Sequence, residues 1–170
     1  GIEGKFLMRI GDAGLPPNQI QLATSYMNFT DSKLQLQTNV WQHVALTYDG
    51  DQSELKIYIN GKLMYEENAN INIDFEGNGY DRNFLIGKSY DDTRDLKGCI
   101  SEVRIWDVVR TQEEIANNIY TVDPTLPGLI AYWKFDDQSS FIVKDYSGNG
   151  NNIKAKSALI WKNVSLPATK

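Results

Sequence analysis

The sequence predicts an all-β fold, an antiparallel two-sheet sandwich carrying one short helix near residues 111–120. Three observations lead there. Apolar and polar residues alternate with the period of a half-buried strand in one short run after another. Turn-forming residues separate the runs, and Asp49-Gly50 and Asn60-Gly61 are the clearest pair. One stretch alone has the start signal and spacing of a helix.

The first strands are short. "KFLMRI" and "NQIQLA" are separated by the breaker-rich "GDAGLPP", and "KLQLQ" sets Leu34 and Leu36 on one face. In "HVALTY", Val44, Leu46 and Tyr48 share a face, while His43, Ala45 and Thr47 share the other. The Asp-Gly turn leads into "LKIYIN", where Leu55, Ile57 and Ile59 alternate with Lys56, Tyr58 and Asn60. After Asn60-Gly61 the chain returns as "KLMYEE", so Gln42 to Glu67 form a three-stranded meander. The loop "NIDFEGNGYDRN" precedes a short apolar strand, "FLIG", and the polar loop "KSYDDTRDLKG" precedes the strand "CISEVRIWD".

"TQEEIANNIY" is the helix. Thr111 and Glu114 form a capping box, and Ile115 and Ile119 make a narrow apolar stripe. Pro124 and Pro127 bracket the following linker. "GLIAYWKFD", "FIVKD", the tight loop "YSGNGNN" and a last strand, "ALIWKNV", then bring the total to roughly ten strands.

Composition limits the function. At 170 residues, with 41% hydrophobic and 23% charged residues, the chain is expected to be a single module covering 1–170. A net charge of −5 supplies no basic field for nucleic acid, and no apolar run reaches the ~18 residues of a membrane-spanning helix. The single cysteine, Cys99, excludes an internal disulfide and a cysteine-based zinc cage. "GIEGKF" is neither a leader nor a natural start, so the chain is expected to be cut from a larger protein.

The order of the pieces is more specific than the fold class. "WQHVALTYDGDQSELKIYINGK", "FLIG", "LKGCISEVRIWDVVRTQEEI" and then "PGLIAYWKFDD" with "KDYSGNGNN" resemble the laminin-G-like and pentraxin-like members of the concanavalin A-like superfamily. The resemblance runs from about Lys5 to Trp161 and implies a jelly-roll sandwich. It also implies strands ahead of "KFLMRIGD", so the module is expected to lack its first strands. It says little about activity, because this fold carries many functions.

His43 shares its strand face with Ala45 and Thr47 and has no carboxylate nearby on it, so it is expected to be a framework residue rather than a general base. Glycoside hydrolysis needs two carboxylates roughly 5–10 Å apart across one sugar ring. Glu102 and Asp107 have the wrong parity for one strand face, and Asp74 and Glu76 lack a third acid, so no catalytic residue is assigned.

Calcium is the ion these loops could hold, since it takes oxygen ligands from flexible segments. The pentraxin resemblance carries its ligand pair onto Pro17 and Asn18 and its acidic run onto Ser89, Tyr90 and Asp91, where Asn18 and Asp91 alone keep suitable oxygens. Asp92 and Asp95 offer a shifted register. In "KDYSGNGNN", Asp145, Asn149 and Asn151 could wrap a cation; a glycine turn in which Asn and Asp tolerate left-handed backbone is the competing reading.

Aromatic residues complete the survey. Trp106 and Trp133 lie in strongly patterned strands and are expected in the core. Tyr80 sits beside Asp81 and Arg82, and Tyr90 beside Asp91 and Arg94, in two polar loops. A tyrosine flanked by acid and base suits a shallow glycan site, because a sugar has an apolar face and a polar edge. Solvated loop residues are the plainer alternative. Asn28 in "NFT" and Asn163 in "NVS" match the glycosylation pattern. The sequence thus points to a non-catalytic module of an exported or cell-surface protein that binds a glycan. The alternatives are a structural or adhesive spacer that contacts a neighbouring domain of the same protein, and a glycoside hydrolase-related domain.

Overall fold

The computed structural model describes residues 1–2, 5–12, 14–71, 84–88 and 95–165. The chain divides into two compact units, Gly1–Lys97 and Gly98–Lys170.

The first unit contains two three-stranded antiparallel sheets. One runs β1 (Phe6–Ile10), β2 (Ile20–Thr24), β3 (Asn28–Phe29), and the other β4 (Val44–Asp49), β5 (Glu54–Ile59), β6 (Lys62–Asn68). The alternation in the sequence becomes two inner faces that meet. Leu22 and Phe29 pack with Leu55, Ala69 and Ile71, and Ile20 and Leu34 pack with Ile57 and Ile59. The expected inner face of β4 holds, since Val44, Leu46 and Tyr48 lie against these clusters. The Tyr48 hydroxyl accepts a hydrogen bond from the Ile71 amide at 2.9 Å, which pins the exit of β6 over the core.

Each turn of the meander solves a different problem. Asn60 and Gly61 both take positive φ, 51° and 74°, as a tight hairpin turn requires. Asn60 does more, because its Oδ1 accepts from the His43 amide and its own amide donates to the His43 carbonyl. The Asp49-Gly50 turn differs from the sequence expectation. Four residues, 50–53, separate the paired Asp49 and Glu54, and Ser53 takes the positive φ. The Asp49 carboxylate holds that loop by accepting from the amides of Asp51 and Gln52.

The second unit contains β7 (Val103–Trp106) paired with β8 (Leu129–Trp133), β9 (Ile142–Val143) paired with β10 (Ile153–Lys154), and helix α1 (Gln112–Asn117). Its core gathers Val122, Leu129 and Tyr132, with Trp106, Leu126 and Tyr146 packed against them. Trp133 is buried as expected; Trp106 is half-buried and lies under the Arg110 guanidinium, 4.4 Å from the ring centroid. Both halves of the capping box at Thr111 and Glu114 are formed. Ile115 is buried, but the helix stops at Asn118, short of Tyr120. Asn118 ends it by turning its side-chain amide onto the Glu114 carbonyl at 2.7 Å.

Four strand expectations change. "KLQLQ" makes one bridge, Gln19 to Gln35, although Leu34 is fully buried. Among the described residues of "FLIG" there is no strand; the Leu85 amide bonds the Gly1 carbonyl. "CISEVRIWD" starts its strand only at Val103, because Glu102 has φ of 56° and breaks the extended run. "ALIWKNV" is not a strand. The Leu159 amide and the Trp161 indole N–H bond the carbonyls of Ser140 and Ser139, and Ile160 is left 89% exposed. The pairing role falls to Ile153–Lys154 instead.

The Asn60-Gly61 turn gives a stability test. Gly61→Ala places a Cβ in the left-handed region and is expected to cost about 1 kcal/mol. Urea unfolding should show this as a lower midpoint at unchanged m-value.

Candidate functional site

The described part of the predicted sites is built around strand β8. Asp145, just after β9, is 6% exposed. Its Oδ1 accepts from the amides of Tyr132 and Ser147, and its Oδ2 accepts from the Ser147 hydroxyl and the Asn151 amide, each at 2.9 Å. Burial pushes this carboxyl up. The backbone donors from Tyr132, Ser147 and Asn151, with the Ser147 hydroxyl, outweigh burial and hold it below the ordinary value of 3.8.

Asn149 and Asn151 are brought to the same loop, as the sequence expected, and both turn their amide nitrogens to the backbone. Asn149 Nδ2 donates to the carbonyls of Leu129 and Ile130, and Asn151 Nδ2 to that of Ile130. Gly148 and Gly150 have φ of 85° and 77° and bend the loop back over β8. In this arrangement Asp145 is an acceptor for protein donors, and the two asparagines are donors to protein carbonyls. Asn18 belongs to the first unit, where its Nδ2 donates to the Leu36 carbonyl at 2.6 Å. Among the described residues, no three His, Cys, Asp or Glu side chains are grouped to hold a metal ion. Asp91, like Tyr80, Asp81, Arg82, Tyr90 and Arg94, lies outside the described residues, as do Asp74 and Glu76.

A second cluster, which the sequence reading did not single out, surrounds Tyr132. Glu102 Oε2 accepts from Arg104 Nη2 at 2.7 Å and from the Tyr132 hydroxyl. The two charged side chains are 16% and 7% exposed, so this ion pair is largely desolvated. Arg104 Nη1 also donates to the Asn118 carbonyl, which ties β7 to the end of α1. Burial, then the bond to Glu102, raises the Tyr132 phenol above 10, opposed by the Thr121 hydroxyl.

Tyr132 meets Tyr146 edge to face, with 6.4 Å between centroids. Lys134 Nζ lies 5.3 Å from the Tyr132 centroid and 4.7 Å from that of Tyr146, and Lys144 Nζ lies 4.9 Å from the latter. The Tyr146 hydroxyl donates to Asp136 Oδ1 at 3.0 Å, and that bond, with burial second, raises its phenol. The connecting segment is unusual, since Phe135 and Gln138 have φ of 58° and 51°. The result is a half-buried tyrosine whose hydroxyl bonds one carboxylate and over whose ring two ammonium groups lie. Its signal in the sequence is the pairing of "WKFDD" with "VKDYS", two segments that each combine an aromatic ring, a lysine and an acid.

Three carboxylates of this unit are each committed to their own protein donors. Glu102 serves Arg104 and Tyr132, Asp136 serves Tyr146, and Asp145 serves four donors. His43 lies at the start of the β4–β5 hairpin and exchanges backbone bonds with Asn60.

Residues 2–116 match the Laminin_G_3 family, described as the concanavalin A-like lectin/glucanases superfamily. A crystal structure of a Bacteroides ovatus ATCC 8483 protein, provisionally described as carbohydrate binding, is similar with a TM-score of 0.78 and 32% sequence identity. The likeness covers 94% of this chain and 49% of that one, so the chain spans about half the length of that protein. No curated protein matches the chain.

The Asp145 contacts have a consequence for stability against pH. A carboxyl whose folded pKa is depressed stabilises fully above its unfolded value, near 4, and loses that contribution as pH falls through the folded value. Asp145→Ala strands buried donors, including the Tyr132 and Asn151 amides, and is expected to cost about 3 kcal/mol at neutral pH. Thermal melts from pH 7 to pH 2 should show the wild-type midpoint falling below about pH 4, and the variant starting lower with a shallower acid slope.

Proposed function

The chain belongs to the concanavalin A-like lectin/glucanases superfamily, and from that premise we propose that it is a carbohydrate-binding module, without catalytic activity, of an exported or cell-surface protein. The observation that carries this reading is the Tyr146 cluster. It groups an aromatic ring with a carboxylate at its hydroxyl and two ammonium groups over its face, and so offers the polar donors and acceptors that a sugar's hydroxyls need. The similar Bacteroides ovatus protein supports the same ligand class.

The loop tyrosines remain part of the proposal. On composition alone, Tyr80 with Asp81 and Arg82 and Tyr90 with Asp91 and Arg94 are kept as further candidate ligand residues. Calcium, if bound, acts on loop structure, with Asp145, Asn149 and Asn151 or Asn18 and Asp91 as its ligands. The non-catalytic part rests on the carboxylates. Glycoside hydrolysis needs two acids facing one bond, whereas Glu102, Asp136 and Asp145 each serve separate protein donors.

One observation favours the spacer reading. Met8 and Ile10 on β1 are 42% and 41% exposed, yet they pair with the buried Leu22 and Ile20 and so extend the core face outward. A neighbouring domain of the same protein would cover them. No helix among the described residues is long and apolar enough to cross a membrane.

A panel of soluble polysaccharides tested by thermal shift decides between the readings. At least one is expected to raise the midpoint, because a ligand of the folded state must stabilise it. Tyr146→Ala or Tyr90→Ala should weaken that ligand about tenfold, which identifies the face in use. If no polysaccharide shifts the wild type and none is degraded, the carbohydrate reading fails and the spacer reading takes its place.

A further inference from the structure

We propose that the outer edge of β1 is an interaction surface, and that it takes one further antiparallel strand of the same polypeptide, entering ahead of Gly1. The inference is independent of the carbohydrate reading and concerns the first unit alone.

β1 lies at the end of its sheet, with β2 on one side. In an antiparallel ladder alternate residues turn their N–H and C=O toward one neighbour and then the other. The Gly11 amide donates to the Gln19 carbonyl at 2.9 Å, so Leu7, Arg9 and Gly11 face β2. Phe6, Met8 and Ile10 therefore face outward. Phe6 is matched on that side, since it exchanges both backbone bonds with Ile2, at 2.7 and 3.0 Å. Among the described residues, no hydrogen bond reaches the N–H or C=O of Met8 or Ile10 there. The side chains of the same two residues are 42% and 41% exposed, although their partners Leu22 and Ile20 are fully buried on the core face. One short stretch thus leaves its polar backbone unpaired and its apolar side chains uncovered, and a single added strand satisfies both.

Gly1 and Ile2 set the direction and the source of that strand. Ile2 faces β1, and Gly1 turns the other way. The Gly1 ammonium donates to the Leu85 carbonyl at 2.8 Å, and the Gly1 carbonyl accepts from the Leu85 amide at 2.9 Å. The two residues have the alternation of a strand with a neighbour on each side. Extended backward in the same register, the residue before Gly1 faces Met8, and the residue two further back faces Ile10. Both project toward the core face, as Phe6 does, so apolar residues suit these positions. A second copy fits worse. The antiparallel register that joins all the free groups of two β1 edges pairs Met8 with Ile10 and sets Arg9 directly opposite Arg9, where like charges repel. A strand of another molecule would also run into Gly1, which lies so close to β1 that an added Cβ would stand 2.3 Å from the Phe6 carbonyl oxygen.

The test compares residues 1–170 with two versions extended ahead of Gly1, by Thr-Val-Thr-Val and by Thr-Pro-Thr-Pro, using amide hydrogen exchange and urea unfolding. In the unextended chain the Leu7 and Arg9 amides should be protected, and the Met8 and Ile10 amides should exchange about tenfold faster or more. Thr-Val-Thr-Val sets valine opposite both free residues. It should slow the Met8 and Ile10 amides by about tenfold or more and raise the urea midpoint. Thr-Pro-Thr-Pro has no N–H at those two positions and should do neither. Met8 and Ile10 amides that are already as slow as those of Leu7 and Arg9 in the unextended monomer overturn the proposal, as does an absence of slowing by Thr-Val-Thr-Val. Concentration-dependent slowing in the unextended chain, with dimers in sedimentation, assigns the edge to a second copy and overturns it as well.

Discussion

The second unit depends on one buried carboxylate. Asp145 accepts from β8 through the Tyr132 amide and from the glycine-rich loop through Ser147 and Asn151. Its own amide donates to Asn152 Oδ1, and the next amide, of Tyr146, donates to the Tyr132 carbonyl. The pairing of β8 with this segment and the placement of Tyr146 against Tyr132 follow from those bonds. A carboxylate suits the position because it offers several acceptor sites and no donor, and each of the surrounding groups is a donor.

That arrangement also places the Tyr146 ring. The loop that Asp145 closes also carries Tyr146, and β8 continues directly into Lys134 and the left-handed Phe135. On the proposed reading, backbone bonds that fix the ring before a ligand arrives lower the ordering cost of binding. The first unit uses different means to similar ends. Asn60 locks the hairpin through its side chain, Tyr48 anchors the exit of β6, and two sheets bury Leu22, Leu34, Leu55 and Ile57 completely.

The described carboxylates bear on the proposed separation of binding from hydrolysis in this fold. A hydrolase must keep two acids facing a common substrate atom, with pKa values set apart for donor and acceptor roles. Glu102 is desolvated beside Arg104 and bonded to a phenol, and Asp136 is occupied by another phenol. These acids organise aromatic rings.

Much of the fold was legible in the residue order because the controlling interactions are local. Alternation gave β1, β2 and the meander, Asn60-Gly61 gave its hairpin, and Thr111 with Glu114 gave the start of α1. Where the reading went astray, the deciding contact was distant. "ALIWKNV" has a strand's pattern, but its Leu159 amide and Trp161 indole donate to the carbonyls of Ser140 and Ser139, and the pairing goes to Ile153–Lys154. "CISEVRIWD" is cut short at Glu102, whose left-handed backbone accompanies its bonds to Arg104 and Tyr132. The Asp145 loop was recognised as special from composition, yet composition does not say whether its oxygens face a cation or an amide. The sequence by itself determined the antiparallel architecture and the superfamily, since periodicity and turn chemistry are local. Only tertiary structure decided that Lys134, Asp136 and Lys144 gather around Tyr146, because bonds made by the side chains of Asp145, Asp137 and Tyr146 fold the segment after β9 back onto the end of β8.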